Sequence, residues 1–176
     1  AVDEGGCMKE KQQLFSEYKK NIDYLHDYLG IEKSFDLIQL DVHYAERNMS
    51  LFMVDGFVKD EILNRLMEFL ARIESEHLEP EPLENLLKRY IPYVELEQTD
   101  DLNDAGDKVL AGPTALVVEG LDVVLLIDAR TYPVRGPEEP DLERVTRGSR
   151  DGFVETIVFN TALTRRRVRD RSLRME

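Results

Sequence analysis

The sequence predicts an α/β protein of the α+β kind: a mixed β-sheet flanked by helices, with a long arginine-rich helix at the C-terminal end. Three observations predict it. Apolar residues at helical spacing (Leu14, Phe15, Tyr18, Ile22, Leu25, Leu29) precede a strand of period two at Ile38, Leu40 and Val42. Two apolar runs, Thr114 to Val118 and Val123 to Asp128, flank Glu119-Gly120-Leu121-Asp122, the pattern of a hairpin. The last stretch, from Ser149, carries Asp151 and Glu155 early and arginines late, the order that complements a helix dipole.

Taken in order, residues 1–8 read as a flexible leader or an expression remnant. A helix runs from about Lys9 to Leu29, where Gly30 is placed to stop it. A half-buried strand at Ile38 to Val42 is followed by a second at Leu51 to Val54, closed by the turn dipeptide Asp55-Gly56. Helical spacing returns over Lys59 to Ser75 through Ile62, Leu66, Phe69, Leu70 and Ile73. Pro80 and Pro82 open a short helix that reaches Tyr90, and Val94 to Leu96 reads as a strand. Residues 98–107 read as an acidic loop before the hairpin. Pro133, Gly136, Pro137 and Pro140 make a rigid loop, and Ser149 is a good N-cap for the terminal helix. The organisation expected is a subdomain over 9–148 and a linker helix over 149–176.

Composition narrows the function. A chain of 176 residues is long enough for a real core, since roughly 70% of the unfolded surface is buried at this size. Cys7 has no partner cysteine, which fits a reducing compartment. Apolar runs such as Val123 to Ile127 are far shorter than a bilayer span, and no signal segment opens the chain, so a soluble polypeptide is expected. The net charge of −13 divides unevenly: residues 1–129 hold 12 basic and 28 acidic residues, and residues 130–176 hold 11 arginines, no lysine and 8 acids. The acidic body argues against a broad nucleic-acid footprint. The arginines of the tail suit bidentate pairing with carboxylate or phosphate.

Motifs for catalysis fail one by one. Asp101, Asn103 and Gly106 match positions 1, 3 and 6 of a calcium loop, but Ala105 and Gly112 stand where position 5 and the bidentate glutamate belong. His26, His43 and His77 fall on separate elements without metal spacing, and there is no phosphate-cradling glycine loop. Ser149 lacks the second glycine of a nucleophile elbow. No enzyme activity, cofactor or metal is expected. The polar run Arg135 to Arg150 reads equally as a surface loop of weakly paired charges, or as an interlocked staple fixing the terminal helix to the sheet or to a neighbouring subunit. The arginines from Arg165 to Arg174 could meet anionic lipid, nucleic acid or acidic protein surface. Their end of the helix lacks an apolar face, and the acidic body would be repelled by an anionic membrane, so acidic protein is favoured and a lipid- or nucleic-acid-binding module is the alternative.

One resemblance covers this same region. The run Asp128-Ala-Arg-Thr-Tyr-Pro-Val-Arg-Gly-Pro-Glu-Glu-Pro-Asp-Leu-Glu-Arg-Val-Thr-Arg-Gly-Ser-Arg-Asp-Gly-Phe-Val-Glu-Thr, then Asn160-Thr-Ala-Leu-Thr-Arg-Arg-Arg-Val-Arg-Asp, resembles the signature of the GerA family of spore germination proteins. Upstream, Phe52-Met-Val-Asp-Gly-Phe-Val-Lys-Asp is similar to a strand end of that family. The resemblance implies a large cytosolic N-terminal region followed by membrane helices, with this chain as its first subdomain. It implies a homo-oligomer in the full-length protein, other germination membrane proteins as partners, and membrane attachment through a region beyond Glu176. It implies a place at the inner spore membrane with this domain on the spore-core side, in assemblies that pass ions, and no catalytic residues. The interaction or structural residues expected are Arg130, Arg135, Glu138, Glu139, Glu143, Arg147, Arg150, Glu155, Asn160, Arg165, Arg166, Arg167 and Arg169.

Overall fold

The computed structural model describes residues 10–58, 60–74, 76, 95–128 and 156–176. In chain order these form α1 (Tyr18–Leu29), β1 (Leu37–Tyr44), β2 (Arg47–Val54), α2 (Asp60–Ala71), β3 (Glu95–Thr99), α3 (Leu102–Ala111), β4 (Thr114–Val118), β5 (Val124–Asp128) and α4 (Ile157–Val168). The strands make one five-stranded sheet in the order β1-β2-β4-β5-β3. All four pairings are antiparallel, so the class is the α+β one expected while the mixed pairing is corrected. The reason is local: each of the two hairpins is antiparallel within itself, and the β4–β5 hairpin then docks antiparallel against β2 on one side and β3 on the other.

The central strands are buried on both faces, which is why they read as unbroken apolar runs rather than alternating ones. Met49, Leu51 and Met53 of β2 pack with Leu116, Val118, Leu125 and Ile127 against Leu66 and Leu70 of α2. Phe52 and Val54 point to the opposite face, with Ala115, Val117, Val124 and Leu126, against α1 and α3. Burying one such Leu, Phe or Met side chain stabilises by about 1.5–3 kcal/mol.

Several element boundaries differ from expectation for identifiable reasons. The first helix starts at Tyr18, not Lys9, because the side chain of Asn21 takes both backbone groups of Phe15: the Phe15 N–H donates to Oδ1 (2.7 Å) and Nδ2 donates to the Phe15 carbonyl (2.9 Å). Before it, Gln13 forms an isolated antiparallel bridge with Asp101. Gly30 does end the helix, at φ 70°, with its N–H and that of Ile31 both reaching the His26 carbonyl. The expected acidic loop over 98–107 is corrected: it is the end of β3 and the start of α3. Asp101 is the N-cap of α3 and accepts from the Asn103 N–H at 2.9 Å, and Leu102, Ala105, Val109 and Leu110 are the buried stripe behind it. The β1–β2 turn is Ala45-Glu46, both left-handed at φ 51° and 57°, the geometry of a type I′ turn built without glycine. The short helix expected at 80–90 lies outside the described residues.

Candidate functional site

The terminal helix is shorter than the span 149–176. Within the described residues it begins at Ile157, after the extended Thr156, and stops at Val168, where Arg169 turns left-handed at φ 48°. It seats against the turn after β2. Gly56 sits there at φ 80°, and a Cβ on it would come within 2.9 Å of Val158 Cγ1 and 3.2 Å of Ala162 Cβ. A side chain at position 56 would hold the helix off the sheet.

Once seated, the helix delivers Arg165 into the protein. Arg165 and Asp36 are both 0% exposed. Nε of Arg165 donates to Asp36 Oδ2 at 2.8 Å and Nη2 donates to Oδ1 at 2.9 Å, a bidentate pair. Nη2 also donates to Ser34 Oγ at 3.1 Å, and Nη1 donates to the carbonyls of Leu173 (3.1 Å) and Asp170 (3.3 Å). All five N–H donors of a guanidinium are thereby used. Ser34 is equally saturated: its hydroxyl donates to Asp36 Oδ1 at 2.6 Å and accepts from the backbone N–H of Met175 at 2.8 Å. The Asp36 carbonyl in turn accepts the Asp55 N–H at 2.7 Å, which ties the pair to the end of β2.

Residues 169–176 fold back as a strap over this arginine. The Phe35 N–H donates to the Met175 carbonyl at 3.0 Å, and the Leu173 N–H donates to the Asp170 carbonyl at 3.1 Å. Asp170 holds Ser172 through its N–H and hydroxyl, both at 2.7 Å, and these bonds lower the Asp170 carboxyl below its ordinary range. Arg171 lies over the ring of Tyr28, 4.8 Å from its centroid. Burial pushes the Tyr28 hydroxyl up to about 12, helped by the bond it donates to Asp107 (2.9 Å), while Arg171 opposes the shift. Tyr28 stacks on Tyr24, whose hydroxyl donates to Asn103 at 2.7 Å. The strap thus touches α1 directly, and α3 through Tyr28.

The expected site residues separate accordingly. Arg165 is placed inside its own domain rather than toward another subunit, which corrects its reading as a docking arginine: the acid it meets is Asp36 of the same chain. Arg166, Arg167 and Arg169 are exposed, and Arg169 Nε donates to the Arg166 carbonyl at 3.0 Å. Asn160 is half-buried, and its carbonyl accepts from the Thr164 hydroxyl at 2.8 Å. Arg130, Arg135, Glu138, Glu139, Glu143, Arg147, Arg150 and Glu155 lie outside the described residues. Asp36 and Ser34 escaped notice because they fall in a short connection whose spacing carries no periodic signal.

Chemistry elsewhere is limited. Ser50 is buried, bonded to Tyr18 and Asp41, and no histidine among the described residues is bonded to it directly. His26 bonds Gln39 at 3.0 Å and His43 bonds Asn48 at 2.9 Å; His77 lies outside the described residues. Among the described residues there is no group of three or more His, Cys, Asp or Glu that could hold a metal, and no helix long and apolar enough to cross a membrane.

The described residues form an α+β domain whose C-terminal helix is locked to its sheet by a buried arginine. The family described as "Bacillus/Clostridium GerA spore germination protein" matches residues 23–176, and the chain belongs to the GerA family. It is 36% identical over 168 residues to Stage V sporulation protein AF of Bacillus subtilis (strain 168), covering 96% of this chain and 34% of that protein. It is 30% identical over 173 residues to spore germination protein GerLA of Bacillus cereus, covering 98% and 34%. The chain therefore spans about a third of the length of these relatives. Its fold matches the crystal structure of the N-terminal domain of the A subunit of the Bacillus megaterium spore germinant receptor GerK3, with a TM-score of 0.71 and 17% identity, over 96% of this chain and 61% of that one.

Proposed function

We propose that the chain is a non-catalytic N-terminal domain of a GerA-family spore membrane protein, held on the spore-core side of the inner spore membrane. Its role is in the assembly and signalling of a germination ion-channel complex, with further copies of itself and other germination membrane proteins as partners. The observation that carries this reading is the Arg165 clamp. Every polar atom of the guanidinium is spent on its own chain, which leaves it nothing to offer a substrate. What it does is fix residues 169–176 to α1 and to the entry of β1. In a protein of the relatives' length, a displacement of the strap would therefore be transmitted to the sheet as a rigid unit rather than absorbed by a loose tether. Buried, fully paired arginines suit that task because opening one partner leaves an uncompensated charge inside the protein.

The acidic protein partner of this reading is assigned to Arg166 and Arg167, which lie on the exposed face of α4. The test uses the full-length protein in spores. Arg165→Lys, which cannot reproduce the bidentate geometry, should slow germination at unchanged protein abundance and membrane localisation. Arg166→Glu with Arg167→Glu should also slow it, with the domain folded. Normal germination in both variants would overturn the reading.

A further inference from the structure

The two edges of the sheet are built differently. β3 offers five residues and carries Glu95 and Glu97. Any two-fold pairing of β3 with itself about Leu96 or Glu97 would set glutamate opposite glutamate, a destabilising arrangement. β1 offers eight residues, Leu37–Tyr44, and pairs with β2 at every one of them without a bulge. It contains no lysine or proline, residues that commonly blunt an exposed edge, and its one carboxylate is Asp41. Among the described residues, its only backbone hydrogen bond outside the sheet is the turn bond from the Leu37 N–H to the Ser34 carbonyl. Ile38 is 37% exposed on it, and Phe35, just before it, is 47% exposed.

We propose that this edge pairs antiparallel with β1 of a second copy, about a two-fold axis at Leu40, joining two five-stranded sheets into one. The choice of occupant and register comes from complementarity. With Leu40 at the axis, residues 37–43 of the two strands oppose each other. Ile38 then meets the partner's Val42 on the α2 side. On the opposite side Gln39 meets the partner's Asp41, a pair whose chemistry is already in use along the strand, where Gln39 Nε2 donates to both Asp41 oxygens at 3.0 Å. Moving the axis one residue on, to Asp41, would bring two carboxylates face to face. Only axes at Leu40 or Asp41 pair the strand with itself over seven residues, and the charge pattern selects Leu40 of the two, whereas the fullest self-pairing of β3 sets Glu97 opposite Glu97. This deepens the assembly reading by naming a contact surface, and it uses no residue of the Arg165 clamp.

Sedimentation velocity of the 176-residue chain over a concentration series tests it, with Ile38→Lys as the disrupting variant and Leu40→Cys, in a Cys7→Ser background, as the register probe. Directly opposed residues of an antiparallel pair have Cα atoms about 4.5–5.5 Å apart, within disulfide reach. The expected result is a concentration-dependent dimer, a dissociation constant raised at least about tenfold by Ile38→Lys with the circular dichroism unchanged, and oxidative cross-linking of Leu40→Cys. A wild-type chain that stays monomeric at about 0.1 mM, the range where weak contacts populate, would overturn the pairing. So would a dimer indifferent to Ile38→Lys, or a folded Leu40→Cys dimer that does not cross-link. Each of those outcomes leaves the germination test of Arg165 standing by itself.

Discussion

Asp36 and Arg165 lie 129 positions apart in the chain and meet, with neither exposed, through two hydrogen bonds of 2.8 and 2.9 Å. Removing one partner leaves the other charge buried. Arg165→Ala and Asp36→Ala should each destabilise the folded chain by about 3–5 kcal/mol, read from urea denaturation midpoints. The double variant Asp36→Leu with Arg165→Met should cost less than the sum of the two, because it leaves no orphaned charge. Additive losses would show that the pair does not act as a unit.

The arginines of α4 are not equivalent, although in sequence they form one run. Arg165→Glu sets a carboxylate against Asp36 and should unfold the helix from the sheet, whereas Arg166→Glu with Arg167→Glu should change stability by no more than about 1 kcal/mol. Thermal denaturation of Arg165→Glu and of the double variant separates these outcomes. A triple reversal from 165 to 167 that spares the fold is thus not expected, contrary to what the sequence run suggests.

Tyr28 provides a pH signature of the strap. Its hydroxyl is pushed from 10.0 to about 12 in the folded chain, by burial first and then by Asp107. Because the folded value is raised, this contribution to stability is fully present below pH 10 and is lost as pH rises toward 12. Burial also raises the Tyr18 hydroxyl, so ultraviolet titration should show more than one late tyrosinate, and Tyr28→Phe should remove the Tyr28 step. Arg171→Ala should move it later still, since the cation over the ring lowers the value. A late absorbance change of the same size in Tyr28→Phe as in the wild type would contradict the assignment.

Two local devices carry further expectations. Asp101→Ala removes the N-cap of α3 and also an acceptor for the Gln12 N–H, 3.1 Å away, and should cost about 0.5–2 kcal/mol in denaturant unfolding. Gly56→Ala places a methyl against Val158 in a left-handed backbone position, a conformation that disfavours side chains by about 1–2 kcal/mol before any clash. It should loosen α4 while α1 and α3 keep their amide protection.

Much of the fold was legible because burial imposes periodicity. The stripe Ile22, Leu25, Leu29 and the flanks of Glu119-Gly120 announced a helix and a hairpin that the structure contains. In the stretch from Asp100 to Asp107 the acidic residues mask a helical spacing: Leu102, Ala105 and Val109 lie three and four apart, behind an Asp cap. The antiparallel order was not legible, since strands buried on both faces look alike in parallel and antiparallel sheets. The sequence marks Arg165 only as one of a run of arginines suited to acidic protein surface, whereas it meets Asp36 of its own chain. Nothing in Arg165-Arg166-Arg167 distinguishes the inward residue, except that Ala162 and Thr161, one turn earlier, are small enough to bring that face against the sheet.

Hydrogen exchange on the folded chain tests the clamp most directly, at the amides of Arg169, Leu173, Met175 and Phe35. In the wild type these should be protected through their bonds to Arg165, Asp170, Ser34 and Met175. In Asp36→Ala they should exchange at nearly unprotected rates, while Phe52 and Leu116 in the central strands stay protected. Equal protection of Arg169 and Met175 in both proteins would contradict the claim that the Asp36–Arg165 pair holds the strap to the sheet.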